Sequence, residues 1–192
     1  MEQRKIYLLL TDTGTMFTRM IKLFTQEPLN HASLAFDENL VEVYSFGRKN
    51  MRNPFIGGFV KENIRTGLFK HAKCAIYSCT VSEKQYQEMR RKIINFENNK
   101  QNYKYNLIGL IGVLFNIEIE RKNAYFCSQF VASVLKDSGV VLINKPLAFV
   151  TPSDLKATSP FQLVYEGKLN FYFSTTEMNQ NSNNQPLLLK TM

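Results

Sequence analysis

The sequence has no tryptophan, only two histidines and only three cysteines among its 192 residues. An odd cysteine count is typical of free thiols in a reducing compartment, and it argues against a disulfide framework. Cys74 and Cys79 lack CxxC spacing, and too few other cysteines and histidines lie near them to complete a structural zinc site. We therefore expect neither disulfides nor a structural metal to support the fold.

Long apolar runs are absent as well. The first apolar run, Ile6–Leu10, has five residues, whereas an export signal needs a longer apolar region and a small-residue cleavage site. The most apolar later stretch, Leu107–Phe115, is about half as long as a bilayer crossing requires. The sequence therefore predicts a soluble, cytoplasmic protein without a transmembrane segment.

Acidic residues are the minority among the charged ones. The chain has 16 Asp and Glu against 24 Lys and Arg, for a formal net charge of +8. Such a balance favours contact with anionic surfaces, such as nucleic acid, phospholipid headgroups or cell-wall polymer. The basic residues are scattered without a nucleic-acid-binding motif, and a solvated basic surface is the simpler explanation. We expect at most weak contact with anionic surfaces and no specific nucleic-acid binding.

Apolar residues make up 44% of the chain, which is enough for one domain to bury a core. Short apolar or alternating runs predict strands, and apolar residues at helical spacing predict helices. Strands are expected over 6–10, 31–36, 40–46, 74–81, 161–165 and 169–173, and helices over 16–24, 83–98, 107–115, 127–138 and 151–155. This order predicts an α+β domain over residues 1–174, with a mostly antiparallel sheet packed against helices.

Two segments do not fit this pattern. Residues 47–70 combine four glycines with six basic residues and several aromatic ones. We expect a long loop there, which serves either as a lid over an active site or as a plain surface insertion. Residues 175–192 are rich in Asn, Gln, Ser and Thr, which predicts a mobile tail.

Cys127 is the strongest candidate for chemistry because it opens a predicted helix. Unpaired backbone N–H groups and the helix dipole favour a thiolate over a thiol at that position. Phe130 and Val131 follow three and four residues later, so the thiol shares their face and points toward the sheet. The alternative is a small buried apolar side chain, which is the usual role of a free cysteine.

His31 opens a predicted strand after a proline-containing loop, on the face shared with Ser33. A neutral imidazole at that place can accept the proton of a thiol. The alternative is a histidine that serves only packing in the core or at its rim. His71 lies beside Lys70 and Lys73 in a basic segment and is the weaker candidate base.

Glu42 lies in the middle of an apolar strand that returns beside His31 in the predicted hairpin. A carboxylate there is costly to bury without a partner, and an imidazole is a suitable one. Glu42 would then orient His31 and stabilise its charged form, as the third member of a triad does. The alternatives are a solvated strand face for Glu42, or Tyr44 or Ser45 in its role if the register differs by one residue.

The order of these residues resembles that of the circularly permuted NlpC/P60 superfamily, in which the histidine strand precedes the cysteine helix. The likeness extends over about residues 6–166 and is carried by the segments 8–14 (LLLTDTG), 30–36 (NHASLAF), 41–43 (VEV), 125–131 (YFCSQFV) and 151–155 (TPSDL). The branch related to lecithin-retinol acyltransferase has a second histidine where this chain has Glu42 or Val43, and a different cysteine motif. The chain is therefore more similar to the YiiX/YycO-like hydrolase branch.

The resemblance implies a papain-like fold with a catalytic Cys127–His31–Glu42 site, in which His31 takes the proton from Cys127. It also implies that the backbone N–H of Cys127 helps to bind the oxyanion, and that neither a metal nor an organic cofactor takes part. The implied substrate is a peptide, isopeptide or cell-wall-like amide, or a lipid ester or amide. A lipid acyltransferase or thiol esterase, and a binding module that has lost turnover, are the alternatives.

Overall fold

Strands and helices follow each other in a mixed order along the chain. The computed structural model describes residues 2–14, 22, 27–48, 57–114, 117–119, 121–157 and 160–174. The strands are β1 (Gln3–Asp12), β2 (His31–Ala35), β3 (Val43–Arg48), β4 (Gly57–Lys61), β5 (Lys73–Ser82), β6 (Lys104–Tyr105), β7 (Ala124–Tyr125) and β8 (Gln162–Lys168). The helices are α1 (Glu83–Asn98), α2 (Leu107–Leu114), α3 (Cys127–Asp137) and α4 (Pro152–Ala157), with 3₁₀ turns at Gly67–Phe69 and Leu147–Phe149 and further helical residues at 169–174.

Six of these strands form one antiparallel sheet in the order β4-β3-β2-β1-β5-β8, and β6 and β7 form a separate parallel pair. The α+β class and the mostly antiparallel sheet are thereby confirmed. β1 is central because its apolar run can be buried on both faces: Leu8 and Leu10 belong to the core on one face, and Leu9 to the core on the other.

The helices α1 and α3 pack on one face of the sheet. Ser82 begins α1 with a capping box: its hydroxyl accepts from the Gln85 backbone N–H at 3.3 Å, and the Gln85 side chain accepts from the Ser82 N–H at 3.0 Å. Helical spacing then buries Met89, Ile93 and Phe96 against the sheet. The predicted helix over 83–98 is confirmed, together with its core face.

The opposite face of the sheet is covered in part by the helical residues 169–174. The predicted strand over 169–173 is therefore wrong. Leu169, Tyr172 and Phe173 are buried together because they recur at the i, i+3, i+4 spacing of a helix. The strand predicted over 161–165 extends further than expected, since β8 pairs with β5 as far as Lys168.

The segment 47–70 is not one long loop. Gly57–Lys61 forms β4, which pairs with β3 and buries Phe59 in the core. A lid in this segment stays a prediction, and residues 49–56 lie outside the described residues, as do the predicted tail over 175–192 and, apart from Lys22, the predicted helix over 16–24. Among the described residues, no helix has both the length and the apolarity to span a membrane.

Candidate active site

Cys127 is the first residue of α3 and lies beside the start of β2. Phe126 precedes it in an extended conformation and makes no side-chain cap, so the first N–H groups of the helix are not taken by a capping side chain. The backbone N–H groups of Ala32 and Ser128 donate to the sulfur, and Cys127 Sγ lies 3.9 Å from the carbonyl oxygen of Asn30. Cys127 is buried, with 5% of its surface exposed.

The contact between α3 and β2 depends on how this strand is paired. β2 pairs with β1 along its whole length, whereas the described pairs with β3 are limited to Leu34 and Ala35. The N–H of Ala32 is therefore available to the helix rather than to β3. On its other side, α3 is held by the Ser128 hydroxyl, which donates to the carbonyl oxygen of Val150 at 2.6 Å.

His31 is the first residue of β2, and its ring bonds with both Cys127 and Glu62. Its Nε2 lies 2.8 Å from Glu62 Oε1, which leaves Nδ1 as the nitrogen that bonds with Cys127. The side chain of His31 is 16% exposed, and the ring of Phe69 lies against it with 6.2 Å between ring centroids. The fold thus brings together the two residues, Cys127 and His31, that the sequence singled out.

Glu62 follows directly after β4 and is the carboxylate that contacts His31. Its Oε1 accepts from His31 at 2.8 Å and from the Ser45 hydroxyl at 2.7 Å, while Oε2 accepts from the Ser33 hydroxyl at 2.6 Å. Burial on its own would raise the pKa of Glu62, but His31 and the two serine hydroxyls outweigh it and lower that pKa. Glu62 is therefore an ionised, buried carboxylate.

The prediction that Glu42 orients His31 is wrong. β3 begins at Val43, so Glu42 belongs to the preceding turn, where its backbone N–H donates to Asp37 Oδ2 at 2.7 Å. The carboxylate of Glu42 accepts instead from Arg90 Nη1 on α1 at 2.6 Å.

The other predicted substitutes take different positions. Ser45 lies in the site, but it donates to Glu62. Tyr44 lies on the helix-packed face of the sheet, where its ring stacks on Phe59. His71, the weaker candidate base, is exposed between the first 3₁₀ turn and β5.

Sequence reasoning missed Glu62 because the residue falls in the glycine-rich segment that was expected to be a loop. A carboxylate in a loop is ordinarily solvated, so Glu62 attracted no attention. A usable signal was nevertheless present: the apolar pair Phe59 and Val60 is followed, after one lysine, by a single acidic residue. Such a run is typical of a short strand that ends in a polar side chain.

The electrostatics of the site favour a charge-separated pair. Burial lowers the pKa of His31, but the Glu62 carboxylate and Cys127 outweigh burial and raise this pKa to about 10. Burial also acts to raise the pKa of Cys127, but His31 and the N–H groups of Ala32 and Ser128 lower it below its usual value of 9.0. These shifts favour an imidazolium at His31 and make the thiolate of Cys127 more accessible than that of a free cysteine.

The two remaining cysteines have the opposite behaviour. Burial raises the pKa of Cys74 to about 12 and that of Cys79 to about 11. Both thiols are therefore neutral and unreactive in the physiological range. Cys127 alone among the three cysteines combines burial with a lowered pKa, and the two others are internal standards for its reactivity.

Comparisons with protein-family models, with curated proteins and with solved structures find no match for this chain. Within the described parts of the chain, no group of three or more His, Cys, Asp or Glu side chains is arranged to hold a metal ion. The side chains of the site are a cysteine, an imidazole that bonds with its sulfur, and a carboxylate that bonds with the imidazole, a set that is capable of nucleophilic chemistry.

Proposed function

We propose that the protein is a cysteine hydrolase that cleaves an amide, such as a peptide, an isopeptide or a cell-wall-like fragment. The observation that carries this proposal is the buried chain Cys127–His31–Glu62, with two backbone N–H donors on the sulfur. A structural cysteine has no need of a bonded imidazole, and its usual surroundings are apolar. In this proposal Glu62 takes the role that the sequence assigned to Glu42.

The proposed reaction begins when the Cys127 thiolate attacks the carbonyl carbon of the substrate. Negative charge develops on the carbonyl oxygen, where the backbone N–H of Cys127 at the start of α3 stabilises it. His31 donates its proton to the leaving amine as the C–N bond breaks, which leaves a thioester on Cys127. Neutral His31 then takes a proton from the water that attacks the thioester. The acid product leaves, and the thiolate and imidazolium are restored.

A protonated His31 favours amides among the possible acyl substrates. An amine is a poor leaving group until it is protonated, whereas a thiol or an acidic alcohol leaves with little help from an acid. Because Glu62 and Cys127 hold the proton on His31, the resting site already contains the acid that amide cleavage needs. Amide hydrolysis is therefore favoured over the lipid esterase and acyltransferase alternatives.

We also propose that the fold is the circularly permuted papain-like fold of the NlpC/P60 superfamily, in its YiiX/YycO-like branch. Two features support this assignment. The strand that carries His31 precedes the helix that begins at Cys127, and both pack in one antiparallel α+β arrangement. The segments 30–36 and 125–131, two of the five that carry the sequence resemblance, supply His31 and Cys127 to the site.

Matched acyl substrates test this proposal. Peptidyl and fatty-acyl amides of aminomethylcoumarin are compared with the corresponding esters of hydroxymethylcoumarin, and acylation of Cys127 is followed by mass spectrometry of the intact protein. We expect release of aminomethylcoumarin from peptidyl amides by the wild type and no release by Cys127→Ala. A transient acyl group on Cys127 is expected during turnover.

Two other outcomes assign a different function. Cleavage of fatty-acyl esters without any cleavage of amides would identify a lipid esterase or acyltransferase. If no substrate is cleaved and Cys127 is never acylated, the hydrolase proposal is wrong and a binding module is the better description.

A further inference from the structure

The Glu62 carboxylate is held by two serines that take no direct part in the proposed reaction. We propose that Ser33 and Ser45 are positioning residues, which fix the orientation of the Glu62 carboxylate and keep it ionised so that it holds the proton on His31. This inference rests on the proposed function of Cys127 and His31. In this proposal, catalysis by Cys127 and His31 depends on two hydroxyls that do not contact the substrate.

The two serines reach the same carboxylate because of their places in the sheet. Ser33 lies on β2 and Ser45 on β3, and their neighbours Leu34 and Tyr44 point into the core on the helix-packed face. Because successive side chains of a strand point to opposite faces of the sheet, both hydroxyls lie on the other face, near the end of β4, where Glu62 follows. Both serines are fully buried, with 0% of their surface exposed. A buried hydroxyl needs an acceptor, and each of these two donates to Glu62.

The two carboxylate oxygens have different partners. Oε2 accepts from Ser33, and no second partner for Oε2 appears among the described contacts, whereas Oε1 accepts from both Ser45 and His31. The terminal torsion of a glutamate is soft, so one anchored oxygen alone does not define the plane of the carboxylate. The hydroxyl of Ser33 is therefore the contact that stops rotation. Ser45 adds a second donor to the oxygen that His31 uses.

The serine hydroxyls act as donors to Glu62 where the nearby lysine and arginine side chains contact aromatic rings instead. His31, with Cys127 beyond it, is the charged group that bonds with Glu62 among the described residues. The neighbouring cations lie over aromatic rings: Lys61 Nζ is 5.8 Å from the Tyr44 ring centroid, and the Arg65 guanidinium is 4.0 Å from that of Phe173. The two hydroxyls thus supply the neutral donors that keep a buried carboxylate charged.

Serine-to-alanine variants test the inference through the reactivity of Cys127 and the titration of His31. Loss of either hydroxyl raises the cost of a charged Glu62, so His31 holds its proton less well and the thiolate is less populated. At pH 6, we expect Ser33→Ala to slow alkylation of Cys127 about tenfold and Ser45→Ala to slow it by less, because Oε1 keeps His31 as a partner. The double variant is expected to be slowest.

Nitrogen-15 NMR of labelled histidine gives a readout that does not depend on turnover. The chain has only two histidines, and His71→Gln assigns the signals. We expect the titration midpoint of His31 to move to lower pH in both serine variants. Ser133→Ala is the matched control, because Ser133 is also a buried serine but donates to the Phe130 carbonyl oxygen at 2.8 Å within α3.

The outcomes separate this inference from the proposed function. If wild-type Cys127 is no more reactive than Cys74 and Cys79, the proposed function fails and this inference fails with it. If wild-type Cys127 is reactive but folded Ser33→Ala and Ser45→Ala match it in alkylation and in the His31 midpoint, only this inference is overturned. Equal losses in Ser133→Ala also overturn it, since they show a general effect on the fold. Should Ser33→Ala not fold, Ser45→Ala carries the test.

Discussion

Glu62 and Glu42 are both glutamates close to the strands of the site, yet their surroundings are opposite. Glu62 is buried, with 7% of its side chain exposed, and it bonds with His31. Glu42 is 33% exposed on its side chain and pairs with Arg90 at the surface. A surface pair of this kind contributes little to stability, whereas loss of a buried charged hydrogen bond is costly.

The variants Glu62→Gln and Glu42→Gln form a matched pair at the residue scale. We expect Glu62→Gln to lower the rate of amide cleavage at pH 6 by about tenfold or more, and to reduce the free energy of unfolding by about 2 kcal/mol. Glu42→Gln is expected to change the rate little and the stability by less than about 1 kcal/mol. Steady-state kinetics and urea unfolding measure both effects. A larger rate loss in Glu42→Gln than in Glu62→Gln would refute the assignment of the carboxylate.

The contact between Cys127 and His31 could be predicted from the sequence, and their carboxylate partner could not. Cys127 and His31 are recognisable because each opens an element, and an element's first residue is visible in the local pattern. Glu62 reaches His31 only after β4 has paired with β3. The local pattern at residues 59–62 indicates a short strand that ends in a polar side chain, but it does not indicate that this strand pairs with β3, so the sequence favours the nearer Glu42.

At the scale of elements, the helices and strands with strong local signals in the sequence are predicted correctly. The capping box at Ser82 and the helical spacing of Met89, Ile93 and Phe96 define α1 without help from the rest of the fold. The unbroken apolar run of β1 likewise requires burial on both faces, which only a central strand obtains.

The elements that were missed are those in which tertiary contacts override a weak local preference. β4 begins with Gly57 and Gly58, which disfavour a strand, and it forms because β3 supplies a ladder for it. Residues 169–174 contain aromatic residues that favour a strand, but the helical spacing of Leu169 and Tyr172 covers the open face of the sheet better. Assignment to the permuted NlpC/P60 fold depends on the order of these elements, and it stays a proposal.

At the scale of the whole molecule, the charged pair has a consequence for stability. The raised pKa of His31 contributes stability that is present below its usual value of 6.5 and is lost as the pH rises through about 10. The lowered pKa of Cys127 acts in the opposite sense: its contribution is present above 9.0 and is lost as the pH falls through the lowered pKa. In the part of the range from 6.5 to 9.0 that lies above the lowered pKa of Cys127, folding moves one proton from Cys127 to His31 without net uptake.

The variant Cys127→Ala tests whether proton uptake by His31 on folding is balanced by proton release from Cys127. In Cys127→Ala, His31 still gains a proton from its pairing with Glu62 on folding, but no thiol releases one. We expect the stability of this variant to fall relative to the wild type as the pH rises from 6.5 to 9.0, by up to about 1.4 kcal/mol per pH unit. Urea unfolding at several pH values measures the difference, and parallel curves for the two proteins would argue against a charged pair.

The reactivity of Cys127 is expected to depend on His31. Site-resolved alkylation with iodoacetamide across pH, followed by mass spectrometry, measures this dependence in the wild type and in His31→Ala. Cys74 and Cys79 are the internal standards. We expect Cys127 to react far faster than both at mildly acidic pH, and His31→Ala to remove this advantage. Equal reactivity of the three thiols, or a Cys127 that stays fast without His31, would contradict this expectation.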